Sequence, residues 1–346
     1  MESVLSRRLS PSGDVNFENI GLTKQEFVNL GRIIIQACGT SWHAGLIGKL
    51  LFEELLRLHT EADISSEFRY RNPVAGGDTL IMAISQSGET ADTLESIRIA
   101  KSKFLKVLSI CNVMGSSIAR ESDGVIYIHA GPEIGVASTK AFTAQLLAMA
   151  LLTLYLGGIK WTINDELRKE MIEELRAIPQ KMRTILARAD EIEALAEKYA
   201  SVQNSMFLGR GYNYPVALEG ALKLKEISYI HATGYPAGEF KHGPIALVDK
   251  DTPTVAVAPQ GPVYRKMVSN ICEVRARKGK VLAVATEGDD EIKGCADDVI
   301  YVPPCCDRFS PMLTVIPLQL FAYYVAVKRG CDVDKPRNLA KSVTVE

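Results

Sequence analysis

An internal repeat constrains the fold of this chain more than any other feature, because it relates the two halves at an offset of roughly 173 residues. The segment GDTLIMAISQSG from Gly77 aligns with KDTPTVAVAPQG from Lys250. Four further islands align in the same order: Glu67-Phe68-Arg69 with Glu239-Phe240-Lys241, Lys106-Val107-Leu108 with Lys280-Val281-Leu282, Val125-Ile126-Tyr127 with Val299-Ile300-Tyr301, and Gln145-Leu146 with Gln319-Leu320. The chain is therefore predicted to be a duplicated domain.

Each half predicts alternating strands and helices. In the first half, short apolar runs at 33–37, 79–85, 106–111 and 124–129 predict buried strands, and amphipathic segments at 44–58 and 91–103 predict helices. Strands that are apolar throughout are typical of a parallel sheet covered on both faces. We therefore expect an α/β fold of two tandem, flavodoxin-like, doubly wound parallel-sheet domains related by internal duplication.

The predicted boundaries follow from composition along the chain. The start is polar and Ser-rich with little to bury, whereas 164–200 is charged and helical in period, with a break expected near Pro179. The predicted divisions are a lead segment 1–28, a first domain 29–160, a helical linker 161–200, a second domain 201–335 and a tail 336–346.

Charge and composition exclude several partners. The 346 residues include 40 Lys+Arg and 41 Asp+Glu, and a net charge of −1 gives no field that would attract nucleic acid. No apolar run reaches the roughly 18 residues that span a bilayer, so no membrane partner is expected. Seven scattered cysteines favour reduced thiols and a cytoplasmic location. The histidines form no ligand pair, so no metal or other cofactor is expected.

The run Ser85-Gln86-Ser87-Gly88-Glu89-Thr90 follows a predicted strand and opens a predicted helix. Free N–H groups and the helix dipole favour an anion at such a junction, and the hydroxyls add neutral donors suited to a phosphate. An ordinary N-cap run is the alternative. The matching loop of the second half, Ala258-Pro259-Gln260-Gly261, has no hydroxyls, which favours the phosphate interpretation.

A second polar turn, Cys38-Gly39-Thr40-Ser41, follows the first predicted strand. Ligands of open α/β sheets bind at the carboxyl ends of strands near the point where strand order reverses, so the two turns together predict a phosphosugar cleft. Alone, the turn could be an ordinary strand-to-helix connection with Ser41 as the cap. Cys38 is expected to be a packed thiol, since no residue is placed to activate it.

Three charged residues recur on one face of a predicted helix at 214–230, namely Glu219, Lys223 and Glu226. They could form a solvated stripe with a weak ion pair, worth roughly 0.2–0.5 kcal/mol. They could instead line a cleft, where Lys223 would steer the charge of an acid/base carboxylate at Glu226. The pattern alone leaves both interpretations open.

Two further residues stand in segments that are ambiguous on their own. His242 lies in the Gly/Pro-rich stretch GYPAGEFKHGP, where a single histidine could be structural or catalytic. Lys341 lies in the polar terminal segment from Arg337, which could be a frayed end. A lone lysine of this kind can also form a Schiff base with a carbonyl sugar.

Several motifs resemble the isomerase half of the glucosamine-6-phosphate synthase family, which is built from two sugar-isomerase (SIS) domains. The resemblance covers nearly all the chain from Gly31 and rests on these blocks: CGTS, SEFRY, SQSGETADTL, ESD, EIGVASTKAFT, LGRG, ALEGALKLKEISYIHA, GE-x-KHGP and PRNLAKSVTVE. The loop SQSGET is shared by many SIS proteins, whereas KLKEISYIHA and the ending PRNLAKSVTVE are close to diagnostic of the synthases.

The resemblance implies a role for each matching residue. Sugar-phosphate contacts are implied for Thr40, Ser41, Ser85, Gln86, Ser87 and Thr90, and Val136 and Ser138 match residues that line the same pocket. The tail is expected to fold over the sugar site, with Ala340 in contact with the ligand. Glu226 matches the base that moves a proton between sugar C1 and C2, with Lys223 as its neighbour. His242 matches the ring-opening residue, which the family supplies from the other subunit of a homodimer. Lys341 matches the lysine that forms an imine with the open-chain ketose.

The implied reaction converts fructose 6-phosphate and ammonia to glucosamine 6-phosphate, and glucose 6-phosphate is a further implied ligand. The chain begins Met1-Glu2-Ser3 close to the first predicted strand, so we expect it to lack the family's glutaminase domain with its N-terminal cysteine. It is then either an excised part of a synthase or a protein that takes ammonia from elsewhere. Two other functions stay open: an aminosugar-phosphate deaminase or deglycase, and a non-catalytic phosphosugar-sensing module.

Overall fold

A computed structural model describes residues 1–17 and 20–344 and divides the chain into two compact units. The first unit comprises Met1–Arg176 together with the residues from Ala340, and the second comprises Ala177–Leu339. Each unit is built on one five-stranded parallel sheet with helices on its faces. This confirms the predicted α/β class and its two doubly wound sheets.

The first sheet has the strand order β2-β1-β3-β4-β5, with every neighbouring pair parallel. Its strands are β1 (Arg32–Ala37), β2 (His59–Ile64), β3 (Thr79–Ser85), β4 (Lys106–Cys111) and β5 (Gly124–Tyr127). The expected bounds of β3 and β4 are confirmed, because both strands are apolar and almost wholly buried. Strand β2 was not predicted, since this edge strand has the polar sequence HTEADI and is only partly buried.

The second sheet repeats this topology, with the order β7-β6-β8-β9-β10. Its strands are β6 (Asn204–Gly209), β7 (His231–Pro236), β8 (Thr254–Ala258), β9 (Val281–Thr286) and β10 (Asp298–Val302). Position for position the order is that of the first sheet, as expected for a duplicated domain.

Twelve α-helices lie among the described residues. They are α1 (Glu2–Arg8), α2 (Lys24–Val28), α3 (Gly39–Leu51), α4 (Ser65–Phe68), α5 (Ala91–Ser102), α6 (Ser117–Glu121), α7 (Lys140–Lys160), α8 (Asp165–Leu186), α9 (Ala189–Tyr199), α10 (Tyr214–Ser228), α11 (Tyr264–Arg275) and α12 (Pro311–Lys328). A π-helical turn, Phe52–Leu56, continues α3, which begins five residues before the predicted start of that helix.

The expected helix break near Pro179 is wrong. Helix α8 runs through this proline and ends at Leu186, and α9 begins at Ala189. A proline inside a helix removes one main-chain hydrogen bond, but the remaining bonds of this 22-residue helix hold it together.

The expectation that the lead segment has little to bury is also wrong. Val4, Phe17 and Phe27 are at most 6% exposed, and the rings of Phe17 and Phe27 pack edge-on against Tyr155 of α7. The lead segment thus contributes to the core of the first unit. Glu18 and Asn19, within the predicted segment 1–28, lie outside the described residues.

Two helices meet the length and hydropathy of a membrane span, contrary to the expectation from uninterrupted apolar runs. They are α7, with a mean hydropathy of 1.7, and α12, with 1.3. The apolar windows are 83% buried in α7 and 67% buried in α12. Since α7 packs against α3, and α12 packs against α10 and α9, both resemble the core helices of a sheet protein.

We predict that Phe27→Ala destabilises the first unit by about 3–5 kcal/mol, because it leaves a cavity beside Tyr155. Denaturant unfolding measures the change. Phe104→Ala is the control, since Phe104 is 95% exposed and its loss should alter the free energy of unfolding by less than about 0.5 kcal/mol. Equal effects of the two substitutions would show that the lead segment is not part of the core.

Candidate functional site

The order of the first sheet places two polar loops side by side. Strands β1 and β3 are neighbours, and the chain leaves their carboxyl ends toward opposite edges of the sheet. The loop after β1 leads into α3, and the loop after β3 leads into α5. This is the point of strand-order reversal at which open α/β sheets bind ligands.

The hydroxyl groups in the loop after β3 make hydrogen bonds within the loop and do not cap the helix that follows. Ser85 Oγ lies 3.0 Å from Thr90 Oγ1 and accepts a hydrogen bond from the Gly88 N–H. Ser87 Oγ accepts one from the Glu89 N–H at 3.2 Å. Thr90 precedes α5, but its side chain makes no capping hydrogen bond. The interpretation of this run as an ordinary N-cap is therefore not supported.

Gly88 and Glu89 fix this loop against α6. Gly88 has φ +69°, and a Cβ there would clash with Ser116 Oγ, so only glycine fits. The Glu89 carboxylate accepts the Ser117 N–H at 2.8 Å, and hydrogen bonding from Ser117 lowers the pKa of Glu89. The loop is held in one conformation before any ligand arrives.

The loop after β1 is organised by a partner on α7. Ser41 is buried in the first turn of α3, and its hydroxyl accepts a hydrogen bond from Gln145 Nε2 at 2.9 Å. The residue that caps α3 is Cys38 rather than Ser41, which corrects the capping interpretation. Thr40 lies beside Ser41 and is half-buried. Burial raises the pKa of the Cys38 thiol, which disfavours a nucleophilic thiolate there.

Glu133 organises the loop between β5 and α7, and sequence reasoning gave it no role. Its side chain is 5% exposed and accepts hydrogen bonds from Ser138 Oγ at 2.8 Å and from the Thr139 N–H at 2.9 Å. Burial alone would raise the pKa of Glu133, but these bonds and Lys341 outweigh it and hold the pKa below its usual range. Val136 lies half-buried in the same loop. The signal was available, because Glu133 is the only acid in the block EIGVASTK.

The C-terminal segment is ordered against the first unit. Lys341 Nζ donates to Glu133 Oε2 at 3.0 Å and to the Gly135 carbonyl at 2.7 Å. The Ala91 N–H, at the start of α5, donates to the Val343 carbonyl at 3.1 Å, so this N–H is already engaged within the chain. Val345 and Glu346 of the predicted tail lie outside the described residues.

A cavity of about 680 Å³ in the first unit brings part of the predicted site together. Its walls include Gln86 and Ser87 of the loop after β3 (Ser85–Thr90, the hydroxyl loop), Lys341 of the tail and Glu133. Asn112 joins two of the walls, because its side chain donates to the Gly131 carbonyl and accepts the Ala130 N–H. The other predicted ligand contacts of this unit lie outside these walls: Thr40, Ser41, Ser85, Thr90, Val136, Ser138 and Ala340.

In the second unit, α10 carries a buried group of three charges. Lys223 Nζ lies 2.6 Å from Glu226 Oε2 and 3.4 Å from Glu219 Oε1. Lys223 and Glu219 are almost wholly buried, and the Glu226 side chain is 21% exposed. The solvated-stripe interpretation is therefore wrong. Burial alone would lower the pKa of Lys223, but the charges of Glu219 and Glu226 outweigh it and raise that pKa.

His242 lies on an exposed 3₁₀ turn, Glu239–His242, that follows edge strand β7. The turn is anchored by the buried Phe240 and by an ion pair between Lys241 and Glu273 of α11 at 2.7 Å. The anchors fix the turn, while the imidazole itself is exposed to solvent.

Comparison with known proteins agrees with this architecture. A family model described as the SIS domain matches residues 26–155 and 198–329, one copy for each sheet. The chain belongs to the SIS domain family.

More particular relatives share one name. A glutamine–fructose-6-phosphate aminotransferase (isomerizing) of Chlorobaculum tepidum is 58% identical over 91% of this chain, and one of Thermus thermophilus is 52% identical over all of it. The chain spans 51% and 57% of their lengths, about half in each case. The resemblance to the synthases is thereby confirmed.

Solved structures agree with this assignment. The C-terminal domain of the glucosamine-fructose-6-phosphate aminotransferase from Francisella tularensis is 44% identical, with a TM-score of 0.86 over 90% of this chain and 88% of that one. A glucosamine-6-phosphate deaminase from Thermotoga maritima is 25% identical, with a TM-score of 0.75 over 92% of this chain and 95% of that one.

We predict that Lys223→Met destabilises the second unit by about 3–5 kcal/mol at neutral pH, because it removes the cation that neutralises two neighbouring carboxylates. The pKa of Lys223 is raised above that of an unfolded lysine, about 10.4. Its stabilising contribution is therefore complete below that pH and declines as the pH rises above it.

Denaturant unfolding at several pH values between neutral and strongly alkaline measures this difference. Lys225→Met is the control, since Lys225 is exposed on the same helix. If wild type were no more stable than Lys223→Met at neutral pH, or if the difference in free energy of unfolding grew as the pH rose, Lys223 would not be the cation that neutralises the two carboxylates.

Proposed function

We propose that this chain is a sugar-isomerase unit that converts fructose 6-phosphate and ammonia to glucosamine 6-phosphate, with glucose 6-phosphate as a further ligand. The observation that carries the proposal is the open cavity of the first unit, which is lined both by Lys341 and by Gln86 and Ser87 of the loop after β3. The shared name of the relatives supports the same reaction.

The sugar phosphate binds the first unit, with its phosphate at the loop Ser85–Thr90. Hydroxyls and main-chain donors suit a phosphate, and a loop already fixed by Gly88 loses little entropy on binding. Thr40 and Ser41 complete the cleft from the loop after β1. The remaining contacts are assigned to Val136, Ser138 and Ala340. Contacts far from the reacting carbons orient the sugar for reaction.

Lys341 forms an imine with the C2 carbonyl of the open-chain ketose. The nitrogen bonds to C2 and the carbonyl oxygen leaves as water, which gives an iminium that withdraws electrons better than a ketone does. Ammonia then replaces the lysine nitrogen at C2, so that the amine stays with the sugar. The relatives are about twice as long as this chain, and in them the remaining part of the protein would supply that ammonia.

Glu226 moves the proton from C1 to C2. Its carboxylate removes a proton from C1 to give an enamine and returns it to C2, while the C1 hydroxyl passes its proton to the nitrogen on C2 and becomes the aldehyde. The Lys223 ammonium lies 2.6 Å from Glu226 Oε2 and orients this carboxylate. The 21% exposure of the Glu226 side chain leaves it accessible to a substrate, whereas Glu219 is fully buried.

His242 opens the sugar ring, and a second copy of this chain provides it. The exposed position of its turn beyond an edge strand supports this role, because the imidazole can reach outside its own unit. The active form is then a homodimer. A cytoplasmic location fits the reduced thiols of Cys38, Cys111 and Cys331.

A second candidate is the reverse, degradative reaction of an aminosugar-phosphate deaminase. The structural similarity to the Thermotoga maritima deaminase supports it, at 25% identity against 44% for the Francisella tularensis domain. A phosphosugar sensor without catalysis is less well supported, since Glu226, His242 and Lys341 are all present.

We predict that the chain forms glucosamine 6-phosphate from fructose 6-phosphate and ammonium, and that borohydride traps fructose 6-phosphate on Lys341. Product assay and peptide mass analysis measure the two results. The control is Lys140→Arg, which changes a lysine of the same loop region that donates to the Pro132 carbonyl and should leave the adduct in place. Deamination alone would favour the second candidate, and an adduct on Lys223 would refute the role of the tail.

We predict that the double substitution Ser85→Ala, Ser87→Ala weakens fructose 6-phosphate binding by about 1–3 kcal/mol for each lost donor to the charged phosphate. Calorimetric titration measures the affinity. Ser102→Ala is the matched control, since this serine is exposed at the end of α5, away from the loop. Unchanged affinity in the double variant would show that the phosphate does not bind at this loop.

We predict that mixing inactive Glu226→Gln chains with inactive His242→Ala chains restores activity. Random exchange makes half the dimers mixed, each with one intact site, so about a quarter of the wild-type activity should return. Subunit exchange is verified with differently tagged chains. Exchange without recovery would mean that His242 acts within its own chain or not at all.

A further inference from the structure

The Glu133 carboxylate contacts the Lys341 amine, and the reaction proposed above gives Glu133 no role. We propose that Glu133 is the positioning residue for the Lys341 amine: it holds the ammonium in the cavity and accepts its proton when the imine forms. This inference rests on the proposed function, because it concerns the same lysine.

The two oxygens of this carboxylate have separate partners. Oε1 accepts the Thr139 N–H at 2.9 Å and the Ala141 N–H at 3.3 Å, at the start of α7. Oε2 accepts Ser138 Oγ at 2.8 Å and Lys341 Nζ at 3.0 Å. One oxygen is thus fixed by main-chain donors of a 21-residue helix, and the other faces the lysine.

This arrangement places the carboxylate independently of the lysine. The N-terminus of a long helix stabilises a negative charge, and the donors of residues 138, 139 and 141 hold Glu133 whether or not Lys341 is present. The tail therefore docks onto a preformed anion. The Gly135 carbonyl, 2.7 Å from Nζ, fixes the amine from a second direction.

The proton balance of imine formation needs such an acceptor. An ammonium is not a nucleophile, so Lys341 must lose one proton before its nitrogen bonds to the carbonyl carbon. Glu133 Oε2 is already within hydrogen-bond distance of Nζ and can take that proton. The proton, with a second one from the nitrogen, leaves with the carbonyl oxygen as water. The overall step converts an ammonium and a carbonyl to an iminium and water.

The other charged side chains near the amine, Arg7 and Lys140, are cations like Lys341 itself. Arg7 lines the same cavity, and Lys140 Nζ donates to the Pro132 carbonyl. His129 also lines the cavity, and burial, together with Arg7 and Arg8, lowers its pKa and favours the neutral imidazole. Among the described walls of the cavity, Glu133 is the carboxylate that can take the proton.

The test compares Glu133→Gln with wild type in the full chain, using kcat, KM and the rate of borohydride trapping at Lys341. We expect kcat and the trapping rate to fall at least roughly tenfold while KM for fructose 6-phosphate stays within about twofold, because Glu133 contacts the amine and not the bound sugar. Glu133→Asp, which keeps the carboxylate, should recover part of both rates.

Two controls separate a structural effect from the proposed one. Glu95→Gln removes an exposed carboxylate that pairs with Arg98 on α5, and should change none of these quantities. Thermal unfolding of Glu133→Gln reports any loss of folding. An unchanged kcat and trapping rate, or a rise in KM alone, would overturn the role of Glu133 while leaving the proposed function intact. Absence of any product or adduct in the wild type would overturn the proposed function and this inference with it.

Discussion

The parallel order of strands in the first sheet is the constraint on which the candidate site depends. Because β1 and β3 are neighbours whose connections diverge, the loops that follow them start side by side at the carboxyl ends of the strands. The buried strands fix the starting point of each loop. Gly88 then holds the loop after β3 through a turn that only glycine can form. Gln145 holds the loop after β1 through a hydrogen bond to Ser41.

The two copies of the duplicated domain keep this topology and differ in chemistry. The first copy has hydroxyls after its third strand, whereas the second has Ala258-Pro259-Gln260-Gly261 at the equivalent place. The second copy instead carries three charges on α10, of which Glu219 and Lys223 are buried and Glu226 is 21% exposed. Burying charges costs free energy that an apolar helix would not cost, and a role in proton transfer would explain why the helix carries them.

The fold could be predicted from the sequence where burial dominates, and the site only in part. Strands β3 and β4 are mostly apolar and buried, so their bounds could be predicted, whereas the polar edge strand β2 depends on pairing with β1 and could not. The spacing of the three charges on α10 predicted that they share one helix face. It did not predict that this face is largely buried, because burial depends on elements distant in the sequence. The contact between Glu133 and Lys341 joins residues 208 positions apart, and the sequence pattern did not indicate it.

We propose that the first copy of the domain binds the phosphosugar. A crystal structure of the chain with fructose 6-phosphate tests this binding most directly, because the phosphate is located by its electron density. We expect the phosphate at the loop Ser85–Thr90 after β3, with the sugar carbons extending toward Lys341. A phosphate at 258–261 after β8, or at any site away from the first sheet, would contradict this proposal.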